Sequence, residues 1–343
     1  MARDSIRKTI FGLAIWTPVA LIVATQDPAF PVPHSIGDAF FFPAEFKHYV
    51  GNKLPLRDRL AELHSRTLFA LRGPTATGQV IRGRDGWLFL RMSRADSEHG
   101  PGREKLDEYL ATYNREAAVC RELGIQYRLL VIPAKENVYS EYLPERIGAW
   151  VTPETTMTPA GRFLITKGND IPVVDLMKRF RREKSTADLY FKTDSHWNEF
   201  GGFVATEELM ASLNPEHVPT PYRIEEHSTD GGNEAKILGI QETVREFYPR
   251  IVINDSRQAT MADRSPIQMD TINLGGFDKA SLKTVCPTAP FGSAMIFHDS
   301  FGVALVPFIS RQFRKCTFVW HAFEPEFIQS DRPEFIISLR STF

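Results

Sequence analysis

The sequence is poor in the features that would set it apart from ordinary globular enzymes. Its 343 residues hold three cysteines, Cys120, Cys286 and Cys316, too few for a disulfide scaffold. Neither sign of charge is in excess. Forty-one Lys and Arg meet 42 Asp and Glu, for a net charge of -1, so no sequence-independent attraction to nucleic acid is expected. Internal repeats and low-complexity tracts are missing. With 43% hydrophobic and 24% charged residues, the composition excludes a disordered chain.

Long hydrophobic runs are also scarce, and the one at the N-terminus stands out for that reason. Arg3, Arg7 and Lys8 precede an apolar stretch from Ile10 to Thr25 that Pro18 interrupts. A basic flank followed by an apolar segment reads as an export signal, and no Ala-x-Ala cleavage pattern follows it. The expectation is a retained anchor over residues 1–28, with the flank in the cytoplasm and residues 29–343 exported. A buried N-terminal helix is the competing reading. Export would permit one disulfide, with Cys286 and Cys316 the expected pair. Cys120 falls on an apolar helix position and reads as an inert core thiol.

What is present is an alternation of apolar runs and helical periodicity. A Pro- and Phe-rich linker spans 26–42, and helical spacing covers 46–71. The run Val80–Leu90 reads as a β-hairpin turning at Asp85-Gly86. An amphipathic helix over 103–123 is closed by Gly124. Unbroken apolar runs follow at 127–133, 171–176, 293–298, 316–320 and 334–339, of the kind found in strands buried on both faces of a parallel sheet. Helices are expected between them at 176–184, 198–213 and 302–313. The pattern predicts a doubly wound α/β/α sandwich, with 222–285 an irregular insertion or cap.

Two segments carry chemistry. Asp194-Ser195-His196-Trp197 lies just before a helix, and His298-Asp299-Ser300-Phe301-Gly302 follows an apolar strand. A serine alcohol becomes a useful nucleophile when a histidine takes its proton and a carboxylate fixes that histidine's tautomer. Functional groups in open α/β sheets gather at the carboxyl ends of strands. If the segments meet, Ser300, His196 and Asp194 form an acyl-transfer site, with amides of the turn after Ser300 as oxyanion donors. Against this stand a Ser300 or Asp299 that merely caps a helix and a His196 that merely packs. A two-histidine, one-carboxylate metal site of Asp194, His196 and His298 is a further alternative.

These residues resemble the SGNH-hydrolase-like domain of alginate O-acetyltransferases of the AlgJ and AlgX type. The resemblance rests on Asp194-Ser-His-Trp-Asn with Gly201-Gly202, and on Asp299-Ser300-Phe301. It extends to Asn52-x-x-Pro55-x-Arg57, Gly83-x-Asp85-Gly86-Trp87-Leu88-Phe89, and Pro133-x-Lys135 through Pro144. The family usually has glycine where this chain has His298. The resemblance implies a triad of Asp194, His196 and Ser300, no cofactor, and a circularly permuted topology, because the Asp/His block precedes the serine. It implies Gly232 and Asn233 as oxyanion-hole candidates, against a simple glycine turn, and Lys135 and Tyr139 as pocket-bordering candidates. An exopolysaccharide would be the acceptor, and a membrane-bound O-acyltransferase partner would supply the acetyl group. A polysaccharide acetylesterase and a non-catalytic scaffold of a secretion complex remain the competing functions.

Overall fold

The computed structural model describes residues 79–90, 103–145, 163–164, 171–267 and 281–341. The expected anchor, the linker, the 46–71 helix and the Asn52/Pro55/Arg57 segment lie outside the described residues. Among the described residues no helix is long and apolar enough to cross a membrane.

The first element is the hairpin of β1 (Val80–Arg82) and β2 (Leu88–Leu90), paired antiparallel. Asp85 and Gly86 both have positive φ, 52° and 82°, as a mirror-image two-residue turn requires. Helix α1 (Arg103–Glu122) follows and ends at Gly124, φ 69°. Next come β3 (Gln126–Ile132), the short helix α2 (Lys135–Val138), β4 (Val173–Asp175), α3 (Met177–Glu183) and α4 (Glu199–Leu213). The remaining elements are β5 (Tyr222–Asp230), α5 (Asn233–Ile237), β6 (Arg245–Ile253), β7 (Thr260–Met261), β8 (Ser281–Val285) and β9 (Phe291–Phe297). A 3-10 turn at Ser300–Leu305 runs into α6 (Val306–Ile309), and β10 (Phe313–Val319), α7 (Pro325–Ser330) and β11 (Phe335–Ser341) close the order.

Seven strands form the central sheet in the order β4-β3-β11-β9-β10-β8-β7. From β4 to β10 all neighbours are parallel, and β8 and β7 add an antiparallel edge. Alternate residues of β3 feed opposite cores, as the two-residue period of a strand dictates. Leu130 and Ile132 join α3, α4 and α6 on one face, while Leu129 and Val131 join α1 and α7 on the other. Hence the unbroken apolar runs: each strand must bury both faces. The expected three-layer, mainly parallel α/β architecture is what the chain forms.

Three expectations need correction. The described residues of 222–285 do not form an irregular cap, since β5 and β6 pair over nine residues each as an antiparallel ribbon, and β7 and β8 extend the main sheet. Nearly every β5 side chain is exposed, so the ribbon lacks the apolar alternation that would have revealed it. The helix expected over 302–313 is instead a 3-10 turn, a single α turn and the start of β10. Pro307 has no N–H to continue the earlier turn and starts the α-helical one. Finally, Cys286 and Cys316 are free and buried. Cys286 lies opposite Arg314, two residues off Cys316, and its Sγ turns to Thr288 Oγ1 while that of Cys316 turns to Ile309 O. Cys120 is free and buried in the second core, as expected.

Candidate active site

Strand β9 runs near the middle of the sheet and delivers His298, Asp299 and Ser300 at its carboxyl end. Asp299 caps the turn that follows. Its Oδ1 accepts from Phe301 N at 3.0 Å, and its Oδ2 accepts from Ser341 N and Oγ at 3.2 and 2.8 Å. The capping role weighed for this pair therefore belongs to Asp299. Ser300 is left with its Oγ facing His196.

The histidine arrives on a tight segment between α3 and α4. Tyr190 and Trp197 form an isolated antiparallel bridge, and Phe191 N donates to His196 O. Asn198 caps α4, its Oδ1 accepting from Phe200 N and Gly201 N at 3.0 and 3.2 Å. Glycines 201 and 202 permit close contacts, though not with the sheet as such. A Cβ at Gly201 would lie 2.3 Å from Leu189 O, and one at Gly202 2.6 Å from Ala304 O. The second contact seats α4 directly on the turn that follows Ser300.

His196 Nδ1 lies 2.6 Å from Asp194 Oδ1, and His196 Nε2 lies 2.7 Å from Ser300 Oγ. The carboxylate makes Nδ1 the protonated nitrogen, so the Nε2 lone pair faces the serine hydroxyl. Trp197 Nε1 donates to Phe301 O at 2.9 Å, and the Phe301 ring lies 4.7 Å from the imidazole. Burial works against the imidazolium, but the hydrogen bond and charge of Asp194, with Glu234 and Asp299 behind them, raise the His196 pKa above its ordinary value. Burial likewise opposes the Asp194 carboxylate, yet its bonds to His196 and Asn233 hold its pKa below the usual range. The pair is poised to hold a proton on the histidine.

A frame of buried polar groups fixes Asp194. Asn233 N donates to its Oδ2 at 2.8 Å, and Gly232 N donates to Thr193 Oγ1 at 2.8 Å. The buried Glu246 carboxylate accepts from Lys192 N, Thr193 N and Thr193 Oγ1. Lys135 is 4% exposed, and its Nζ donates to Leu88 O, Lys192 O and Asp194 O at 2.6, 3.0 and 2.9 Å. Thus β2 and the Asp194 segment are joined through one ammonium group, with the Trp87 and Phe89 rings within 5.4 and 5.3 Å of it.

This geometry reassigns four expected residues. Gly232 and Asn233 direct their amides at Thr193 and Asp194, so they brace the carboxylate and are not available to an oxyanion. Lys135 has no proton left for a substrate, and it is not solvated either. Tyr139 is 2% exposed, accepts from Leu189 N at 2.7 Å and stacks on Trp87 at 4.1 Å. The amides expected to form an oxyanion hole are partly engaged as well: Phe301 N with Asp299 Oδ1, and Gly302 N with Asp299 O at 3.0 Å. Ser300 N–H has no partner among the described residues and is the donor that the turn leaves open.

His298 does not distort the turn that carries Ser300. Its Nδ1 contacts Asp299 O at 2.7 Å, and its ring packs edge-on to Phe318 and Trp320. Gly302 makes the room, since a Cβ there would come within 2.3 Å of His298 Cγ. Both His196 nitrogens are engaged, and among the described residues no three His, Cys, Asp or Glu side chains converge as metal ligands. The Asp194/His196/His298 metal reading therefore has no geometric support.

Sequence reasoning missed Thr193, Glu246 and Trp197 Nε1. Their roles depend on partners 39 or more residues away, and only Asn198 at a helix start carried a local signal.

Residues 80–250 match the family model described as SGNH hydrolase-like domain, acetyltransferase AlgX. The chain belongs to the AlgX/AlgJ SGNH hydrolase-like family. The matched span includes Asp194 and His196 but stops short of Ser300, which geometry alone connects to it. The chain is 26% identical over 177 residues to the probable alginate O-acetylase AlgJ of Pseudomonas aeruginosa, covering 50% of this chain and 44% of that one. It is 29% identical over 138 residues to its Pseudomonas putida counterpart, covering 39% of this chain and 34% of that one. The match thus spans less than half the length of these relatives. Among solved structures, a DHHW family protein from Eubacterium siraeum superposes with a TM-score of 0.56 at 17% identity, over 78% of this chain and 92% of that one. Bacillus cereus PatB1, solved with a sulfonyl adduct, does so with a TM-score of 0.54 at 16% identity, over 77% and 93%. At such identities these likenesses establish the fold.

Proposed function

We propose that this family member is an O-acetyltransferase that moves an acetyl group onto hydroxyls of an exopolysaccharide, alginate-like or other, through an acyl-enzyme on Ser300. The observation that carries the proposal is the unbroken path Asp194 Oδ1 to His196 Nδ1 to His196 Nε2 to Ser300 Oγ, with contacts of 2.6 and 2.7 Å. Those are the distances of strong hydrogen bonds in a nucleophile–base–carboxylate relay.

Ser300 Oγ attacks the acetyl carbonyl while His196 Nε2 takes its proton. Asp194 stabilises the imidazolium, and Ser300 N–H supports the developing oxyanion, a contribution of about 3 kcal/mol for one such donor. The donor's leaving oxygen departs with the proton from His196. A sugar hydroxyl then gives its proton to His196, attacks the acyl carbonyl and releases Ser300. Water in place of the sugar makes the same site an acetylesterase, so the balance between the two rests on how well the bound acceptor excludes water.

The names of the AlgJ relatives support a polysaccharide acceptor. The basic and apolar N-terminal segment supports export and attachment to the inner membrane, with the domain in the periplasm and a membrane-bound O-acyltransferase partner supplying acetyl groups. The Asp/His block lies 104 residues before the serine, an order that supports circular permutation relative to ordinary SGNH hydrolases.

The deciding experiment measures acetate release from a chromogenic acetyl ester and acetyl transfer to an oligosaccharide by mass spectrometry, with sulfonyl fluoride labelling alongside. Wild-type labelling lost in Ser300→Ala is the expected result. Equal ester cleavage by wild type and Ser300→Ala, or no labelling of either, would overturn the acyl-enzyme and favour a silent scaffold.

A further inference from the structure

Next to the Asp194 segment lies a buried acid that the mechanism does not use. Glu234 follows Asn233, the residue whose amide holds Asp194, and its own N–H donates to Thr193 O at 3.1 Å. The side chain is 0% exposed. Neither carboxyl oxygen has a hydrogen-bond partner on another described residue. Buried carboxylates are almost always paired, and an unpaired one is strongly disfavoured in its charged form.

The charged groups around Glu234 come from three directions. Lys135 and Glu136 face it from α2, Asp194 faces it from the catalytic segment, and His196 feels its charge from the same segment. Glu246 of β6 acts on Lys135 from the far side. The adjoining β2 contributes apolar side chains, and Glu242 on the neighbouring turn is solvent-exposed. Besides the imidazolium of His196, Lys135 is the cation in this set, and its three N–H groups already bind carbonyl oxygens. It therefore offers Glu234 a field and no hydrogen bond.

We propose that Glu234 is a positioning residue, a second buried carboxyl behind Asp194 whose proton is coupled to that of His196. While protonated, Glu234 keeps a second negative charge away from Asp194. Once ionised, it adds to the field that holds the imidazolium. Burial pushes its pKa up to about 7, with Lys135 pulling the other way and Asp194 reinforcing the rise. Since the His196 pKa also lies above its ordinary value, the two protons leave in overlapping steps that belong to the pair.

The test follows the His196 Cε1–H resonance by NMR across pH in the full chain, comparing wild type with Glu234→Gln and assigning the signal by its loss in His196→Gln. The resonance does not rest on the proposed acyl transfer, so the two readings can fail separately. The expected result is a His196 midpoint lowered by roughly half to one pH unit in Glu234→Gln, about 0.7–1.4 kcal/mol of lost support for the imidazolium. The wild-type curve should be broader than that of the variant. If Glu234→Gln does not fold, Glu234→Met removes the same charge without adding donors. A midpoint and shape unchanged in the folded variant would overturn the proposal.

Thermal stability gives an independent reading. A carboxyl whose folded pKa is raised holds its proton longer in the native state, so stability is full near pH 4.5, falls towards pH 7 and then levels. That fall should shrink in Glu234→Gln, the remainder belonging to other groups with raised pKa values such as His196 and Glu246, and a fall of undiminished size would count against the proposal. If neither protein cleaves any ester, the acyl-transfer reading fails while the resonance still decides this one.

Discussion

Gly232 stands so close to Asp194 that a Cβ built on it would lie 2.4 Å from the Cβ of the aspartate. The glycine is therefore a steric requirement of the carboxylate's position. Gly232→Ala should displace Asp194 and lower kcat/KM by on the order of 100-fold, the scale of a misplacement near 1 Å. Ester hydrolysis beside a near-native circular dichroism spectrum checks this, and an undiminished rate would show that the loop yields.

Within the triad, Ser300→Ala should abolish transfer and ester cleavage alike. His196→Ala should cost nearly as much, because members of such a unit are not additive. Asp194→Asn keeps the shape and loses the charge, with an expected fall in kcat of roughly 10⁴. Steady-state kinetics on the three variants measures the order.

The pH profile follows from the direction of the His196 shift. Only neutral imidazole accepts the serine proton, so activity should drop on acidification through a pKa above 6.5, the ordinary value. Asp194→Asn removes the main support for the imidazolium, and its residual activity should show the acid limb at lower pH. In stability terms the same raised pKa contributes fully below pH 6.5, and the contribution is lost as pH rises through the folded value. Profiles of kcat/KM for the free enzyme report the limb.

His298 and Gly302 should behave as a coupled pair. His298→Gly removes a buried ring and should cost about 2–4 kcal/mol as a cavity, lowering the melting temperature with the triad chemistry intact. Gly302→Ala alone forces a methyl into the His298 ring and should also destabilise. The double variant should be more stable than the sum of the two losses implies, by about 1 kcal/mol or more. Chemical denaturation of the four proteins closes the cycle.

Much of this site is legible in the residues themselves. Strand β9 announces itself because Ala294 to Phe297 must be apolar to face two cores at once, and Ser300 follows it. Asp194-x-His196 is readable because the carboxylate and imidazole lie two residues apart, so a local turn suffices to join them. Lys135 is the opposite case. A lysine just past a strand reads as solvated, and only the convergence of Leu88, Lys192 and Asp194 carbonyls shows why it is buried. Gly232 and Asn233 marked the right place with the wrong task, since a sequence tells which backbone is unobstructed but not where its N–H groups point. The β5–β6 ribbon escaped notice because β5 is exposed along most of its length, which removes the periodicity that identifies a strand.

The bond from Trp197 Nε1 to Phe301 O turns the indole into a built-in gauge of the site. It fastens the segment carrying His196 to the segment carrying Ser300, its two ends 104 residues apart along the chain. Any excursion that separates the two halves must first release that indole proton to solvent. Its deuterium exchange should therefore track the opening of the catalytic cleft, and slow exchange would mean that base and nucleophile come apart only when the core itself does.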